Sequence, residues 1–175
     1  GFNVIKKPGE KINKKSVIRN LKWWLKTDYA YWGYELQYDI KNAKIIVEEY
    51  IEGELEEYKF LCFEGEPKMF WIRSSENSRL TRNYFDMHRK PLNIEFGNVP
   101  LKKSLHEIEE TEFKELVDIV RKLSQGFKMV RVDTFVIGNK FYIGELTFNT
   151  GSGFDTWRPK EQEEWLGRLI KIHNE

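Results

Sequence analysis

Cysteine is almost missing from this chain. Cys62 is the only one among 175 residues, so no internal disulfide can form and the fold must rest on packing. A lone thiol inside an apolar, strand-like run favours a reducing compartment, and a cytoplasmic location is the expectation. Histidine is scarce too, with three residues, none spaced to activate Cys62 as a nucleophile. Cys62 therefore reads as a small core residue. No apolar run approaches the roughly 20 residues of a membrane helix, which excludes a helical span. Internal repeats, low-complexity tracts and obvious linkers are absent as well. Net charge is only +1, so no partner is selected by overall charge. The chain opens at Gly1 rather than Met, so the lack of a signal-peptide pattern is silent on targeting.

What is present is enough for a real core: 40% hydrophobic residues, with 15% aromatic. Charge is unevenly spread. Residues 1–27 carry lysines and arginines from Lys6 to Lys26 against one acid, Glu10, whereas residues 48–57 carry six glutamates. The basic segment either attracts phosphate or is a solvated helix face. It shows no base-stacking signature, so no nucleic-acid partner is expected.

The periodicity predicts an α+β fold, an antiparallel sheet packed with helices. Phe2 to Lys7 reads as the end of a strand and Pro8-Gly9 as a turn. Val17, Leu21, Trp24 and Leu25 predict a helix over 14–26. The run from Lys44 to Ile51 reads as a buried strand. Tyr58 to Phe63 and Lys68 to Arg73 read as a hairpin turning at Glu64-Gly65. Residues 74–103, rich in Ser, Asn, Arg and Pro, read as a long excursion. Ser104 to Glu107 matches a capping box, and Phe113, Leu116, Val117, Val120 and Leu123 predict a helix ending near Gly126. Pro159 is placed as the first residue of a last helix, with Trp165, Leu166, Leu169 and Ile170 facing inward.

The richest stretch is Arg131-Val132-Asp133 followed by Gly144 to Gly153. Gly138-Asn139 marks a hairpin turn between them. Alternation puts Arg131, Asp133 and Phe135 on one face, and Glu145, Thr147 and Asn149 on one face of the partner strand. If the two faces coincide, two carboxylates, two neutral oxygens and a guanidinium share a patch. Such hard oxygens suit magnesium, which takes one or two carboxylates and completes its shell with nucleotide phosphates. The competing reading is a solvated face carrying a structural ion pair. Against it, the flanking residues are apolar, and two carboxylates on a central strand pair repel unless a cation lies between them. Gly151-Ser152-Gly153 also offers backbone N–H groups to an anion.

Three segments together resemble the ATP-grasp superfamily, and within it the TupA-like group. Ile46 to Gly53 resembles the hinge that holds adenine. Tyr58 to Lys68 resembles the YKF-CF-G-PK stretch of the TupA-like group. Arg131-Val132-Asp133 with Gly144-Glu145-Leu146-Thr147-Phe148 resembles its RVD…GE-TF signature. The resemblance spans nearly the whole chain. It implies ATP and magnesium as cofactors, with Asp133 and Glu145 as metal ligands. The family's usual asparagine two residues after the glutamate is Thr147 here, so the third ligand is either Thr147 or Asn149. Arg131 matches an arginine that steadies the transferred phosphate and the acyl phosphate.

The hinge residues Glu48, Glu49, Tyr50 and Ile51 are implied to hold adenine, largely through backbone groups. Glu57 is the candidate for ribose hydroxyls, or a solvated acid. Lys59 either reaches phosphate or snorkels, and Arg73 is a phosphate or substrate candidate. Residues 1–51 read as a remnant of the small ATP-grasp subdomain and 52–175 as the C-terminal subdomain with the metal site. By the same resemblance Gly1 is the last glycine of a phosphate-covering loop. The phosphate-gripping lysine and a whole domain are then expected to precede the chain, leaving the fold incomplete at its N-terminus.

The implied activity is carboxylate–amine ligation, with a carboxylate or glycan acceptor from cell-surface polysaccharide or teichuronopeptide synthesis. The alternative is a non-catalytic module that binds nucleotide or glycan. Oligomeric state is not legible.

Overall fold

The computed structural model describes residues 3–28, 30–33, 35–39, 41–52, 56–76, 79–95, 108–138 and 140–170. The chain divides into two compact units, Gly1–Gly53 and Glu54–Glu175.

The first unit is built around helix α1, Lys14–Trp24. Asn13 caps it, its side-chain oxygen accepting the Ser16 N–H at 3.1 Å. Pro8-Gly9 forms the expected turn, with Gly9 at φ +77°. A one-turn helix α2, Ala30–Gly33, and a 3-10 turn at Leu36–Tyr38 follow. Two sequence expectations fail in this unit. Residues 3–7 are not a strand, and Phe2 lies outside the described residues. The run from Lys44 to Ile51 is not a buried strand either: it has no regular structure, and Ile46 and Val47 are 81% and 89% exposed. A strand needs a partner for its N–H and C=O groups, and among the described residues of this unit there is no other strand.

The second unit holds a five-stranded sheet of order β3-β2-β1-β4-β5, every neighbouring pair antiparallel. The strands are β1 (Glu57–Phe63), β2 (Glu66–Glu76), β3 (Arg79–Asp86), β4 (Met129–Ile137) and β5 (Lys140–Thr147). Helices α3 (Glu110–Ser124) and α4 (Lys160–Leu169) complete it. The predicted α+β class is therefore correct. No helix among the described residues is long and apolar enough to cross a membrane.

Alternation along the central strands sorts the sheet into two faces. Tyr58, Phe60 and Cys62 of β1, with Val130 and Val132 of β4, pack against Phe113, Leu116 and Val120 of α3. Phe70 is the hub there, its ring centroid 5.4 Å from Phe60, 5.1 Å from Phe85 and 5.1 Å from Phe113. Each such ring removed from water contributes about 1.5–3 kcal/mol. Helix α3 begins with a capping box of Glu109 and Glu112. The box expected at Ser104 to Glu107 lies outside the described residues. At its other end Ser124, fully buried, donates to the Gly65 carbonyl at 3.0 Å and pins the helix onto the β1–β2 turn.

The opposite face is divided. At one end Leu61, Phe63, Met69, Trp71 and Tyr84 pack against Ile94 and Leu166, with Trp165 and Leu169 beside them. At the other end the same face carries charge. Helix α4 starts at Lys160, with Pro159 as its cap rather than its first residue. Ile170 is 41% exposed instead of inward-facing, because the helix has already ended.

The expected excursion over 74–103 is corrected most. Strand β2 continues to Glu76, and β3 forms from Arg79 to Asp86. Its alternation was hidden because one face carries polar Thr81 and Asn83 and the other Arg82.

Burial pushes the Cys62 thiol up to about 12, with Ser124 opposing and the charge of Glu66 assisting. A raised folded pKa stabilises fully below the ordinary value of 9.0 and is lost as pH climbs towards 12. Two results are expected. Native protein resists thiol alkylation at pH 8 until denatured. Cys62→Ala also abolishes part of the stability loss between pH 9 and 12 in urea titrations. Rapid alkylation of the native chain would contradict the burial.

Candidate functional site

The charged end of the sheet is assembled by register. Glu145 on β5 pairs with Asp133 on β4, Asp133 with Lys59 on β1, Lys59 with Trp71 on β2, and Trp71 with Tyr84 on β3. These five residues form one row straight across the sheet, all on the same face. Arg131 pairs with Thr147, one pleat away. Glu57 pairs with Arg73 and Arg73 with Arg82, one pleat to the other side. The two faces that sequence alternation left separate do coincide up to Asp133 and Glu145. Beyond that pair a bulge shifts the register, so Thr134 faces Ile143 and Gly144 is the extra residue. A Cβ on Gly144 would come within 2.9 Å of the Phe135 ring, so glycine lets that ring lie over the bulge.

Asp133 is the centre. Its side chain is fully buried, and Lys59 donates to its Oδ2. Arg131 grips it with two bonds, Nε to Oδ1 at 2.6 Å and Nη2 to Oδ2 at 2.8 Å. The same Nη2 donates to Glu145 Oε1 at 2.6 Å, and Thr147 Oγ1 donates to that oxygen at 2.8 Å. The cation expected between the two carboxylates is thus Arg131, with Lys59 as a second partner of Asp133. Burial disfavours the Arg131 charge, but hydrogen bonding to Asp133 and the charges of Asp133, Glu145 and Glu57 outweigh it and raise its pKa further. Arg131 also stands 6.0 Å over the Trp71 ring.

Lys59 continues the network to Glu57 Oε1 at 2.9 Å, and Glu57 Oε2 accepts from Arg73 Nη1 at 3.1 Å. Neither residue is a solvated side chain: Glu57 and Lys59 are about nine-tenths buried between neighbouring strands. Arg73 is half-exposed at the edge.

The structure therefore brings together Arg131, Asp133, Glu145, Thr147, Lys59, Glu57 and Arg73. Asn149 lies past the end of β5, ahead of a 3-10 turn over Thr150–Gly153. Its Oδ1 lies 3.4 Å from where a Cβ on Gly153 would stand. Of the two alternatives, Thr147 is the one that touches Glu145. In the turn, the Ser152 N–H is spent on the Asn149 carbonyl and the Phe154 N–H on that of Gly151. Glu48, Glu49, Tyr50 and Ile51 belong to the first unit, in a segment without helix or strand. Gly53 and Asn139 lie outside the described residues.

Sequence reasoning missed Arg82, Tyr84, Asp155 and Trp157, which line the same face beside Arg73. They are scattered over the chain and share no motif. The alternation Leu80, Arg82, Tyr84 was the one available signal.

Asp133 and Glu145 carry the hard oxygens that a divalent cation takes, but the Arg131 guanidinium fills the space between them. Two carboxylates and a hydroxyl converge where a guanidinium nitrogen already bridges Asp133 and Glu145. Among the described residues no cluster of three His, Cys, Asp or Glu side chains suits a metal, so any ion held here would rely on other ligands as well. Magnesium completed by phosphate oxygens has that character.

No curated protein and no solved structure matches the chain. The model of one family, described as TupA-like ATPgrasp, matches residues 2–171 and so takes in the whole β4–β5 signature together with the β1–β2 hairpin. By that match the chain belongs to the TupA-like ATP-grasp family.

Proposed function

We propose that this chain forms the nucleotide- and magnesium-holding part of a carboxylate–amine ligase. The observation that supports the reading is the gathering of Asp133, Glu145 and Thr147 with Arg131 and Lys59 on one face of the sheet, at the residues that resemble the family's motif. Membership of an ATP-grasp family supports ATP as the nucleotide.

Magnesium would be held by Asp133 and Glu145, with Thr147 as a neutral neighbour, and would neutralise charge on the nucleotide phosphates. The protein's own groups then divide the work. Asp133, buried and gripped from two sides, is preorganised and cannot swing away. Glu145 has a 59% exposed side chain, and the bonds it makes among the described residues fall on Oε1. Arg131 carries a planar fork of donors suited to phosphate oxygens, with its Nε and Nη2 engaged by Asp133 and Glu145. Lys59 contributes a point charge from the neighbouring strand. Catalysis of this kind is positioning and electrostatic stabilisation rather than nucleophilic attack by the protein. Ribose near Glu57 completes the reading. Glu57 serves it through its place between Lys59 and Arg73. The acceptor is a carboxylate or glycan, in cell-surface polysaccharide or teichuronopeptide synthesis.

Calorimetric titration with ATP tests the proposal. Binding in magnesium is expected to be at least about tenfold tighter than in a chelator, about 1.4 kcal/mol. Equal affinity in the two conditions would remove the metal from the site.

A further inference from the structure

Helix α1 carries a basic face to which the ligase reading gives no role. Lys15, Arg19 and Lys22 recur at helical spacing on one side of the helix, and Lys26 follows in the turn after it. All four are exposed, and none makes an ion pair among the described residues. The helix itself contains no acid. Its other side is the packed one: Val17, Leu21 and Trp24 are half-buried. The cations therefore occupy the outer face.

That face differs from an ordinary solvated one in what borders it. Ile18 and Leu25 flank the cations on one side, 52% and 41% exposed, and Trp23 flanks them on the other at 51%. The segment leading into the helix repeats the composition, with exposed Lys6, Lys7 and Lys11 among exposed Val4, Ile5 and Ile12. Apolar area left in water costs free energy that is recovered when a partner covers it. Uncompensated cations select a partner that is anionic. A nucleic-acid backbone would satisfy the cations but leave Ile18 and Leu25 wet. A bilayer surface with anionic lipids satisfies both. Its phosphates take the cations, and its boundary between headgroups and acyl chains takes aliphatic and indole side chains. The long stems of lysine and arginine reach such phosphates from a helix lying in the surface plane.

We propose that α1 docks on an anionic lipid surface, with Lys15, Arg19, Lys22 and Lys26 at the headgroup phosphates and Ile18, Trp23 and Leu25 in the interface below them. One short helix with a few cations gives reversible, salt-sensitive contact rather than permanent insertion. The inference goes beyond the ligase reading and uses no residue of the sheet.

The test uses the full chain without nucleotide, sedimented with sucrose-loaded vesicles. One set is phosphatidylcholine alone, the other an equal mixture of phosphatidylcholine and phosphatidylglycerol. Partitioning onto the mixed vesicles is expected to exceed that onto the neutral ones about tenfold or more. Raising the salt to about 1 M should release most of the bound chain. Lys15→Glu combined with Arg19→Glu should weaken partitioning onto mixed vesicles about tenfold or more. Ile18→Ser combined with Leu25→Ser should weaken it about fivefold or more, because the apolar contribution is lost while every charge remains. All four positions are exposed, so the variants should melt near the wild type. If one melts early, the lipid preference and salt release of the wild-type chain decide alone. The proposal is overturned if the wild type ignores mixed vesicles or binds neutral ones equally. It is equally overturned if the folded Ile18→Ser, Leu25→Ser variant keeps wild-type partitioning, or if a single-stranded oligonucleotide strips the chain from mixed vesicles and binds more tightly than they do. Magnesium-dependent ATP binding without vesicle binding would sink this inference and leave the ligase reading standing; the reverse pattern would do the opposite.

Discussion

Replacing Asp133 by alanine is expected to cost about 3–5 kcal/mol of folding free energy, the penalty for removing one partner from a buried charge network. The Asp133 side chain is fully buried, and the two cations that hold it, Lys59 and Arg131, are 11% and 15% exposed. Without the carboxylate both would be left facing each other across β1 and β4 with little water to screen them. Domains of ordinary stability have only about 5–15 kcal/mol to lose, so the variant should unfold at much lower urea. Asp133→Asn should fall between wild type and alanine, since the amide keeps the shape and can accept one hydrogen bond. A loss under about 1 kcal/mol for the alanine variant would mean that water reaches the pair and that the network is not the centre described above. Lost activity in this variant is therefore no evidence about metal.

The opposite pattern is expected for Glu145→Ala. Its side chain is 59% exposed and is held by Arg131 and Thr147 alone among the described residues. A largely solvated pair of this kind contributes about 0–1 kcal/mol, so the melting temperature should barely move. ADP release by the intact protein in magnesium should nevertheless fall on the order of 10²-fold or more, the usual scale for removing one group that stabilises developing charge. Undiminished release from a folded Glu145→Ala variant would discard the metal assignment. The two substitutions separate roles that the sequence motif presents as equivalent: one acid is built into the sheet, the other projects from its margin.

That difference shows how far the residues can be read without coordinates. The β1–β2 hairpin was legible because Tyr58 to Phe63 and Lys68 to Arg73 are apolar and flank a glycine turn. Helix α3 was legible because Phe113, Leu116, Val117, Val120 and Leu123 repeat at helical spacing, and α4 because Pro159 and its apolar stripe mark its start. Strand β3 was not legible. Polar residues on both of its faces broke the alternation, and its place at the sheet edge removes the requirement that both faces be apolar. The Lys44 to Ile51 segment misled in the other direction, since an apolar, β-branched run predicts a strand only where a partner strand exists.

By itself the sequence determined the α+β class, the family through its three motif segments, and Arg131, Asp133 and Glu145 as a set, because alternation along a strand is a local property of the backbone. Tertiary structure alone decided that Lys59 and Arg131 neutralise Asp133, that Glu57 is buried between two cations, and that Arg82, Asp155 and Trp157 close a cavity beside them. Those facts depend on which strands pair and in what register. Pairing is set by the packing of two faces of a whole sheet, which no short stretch of chain encodes.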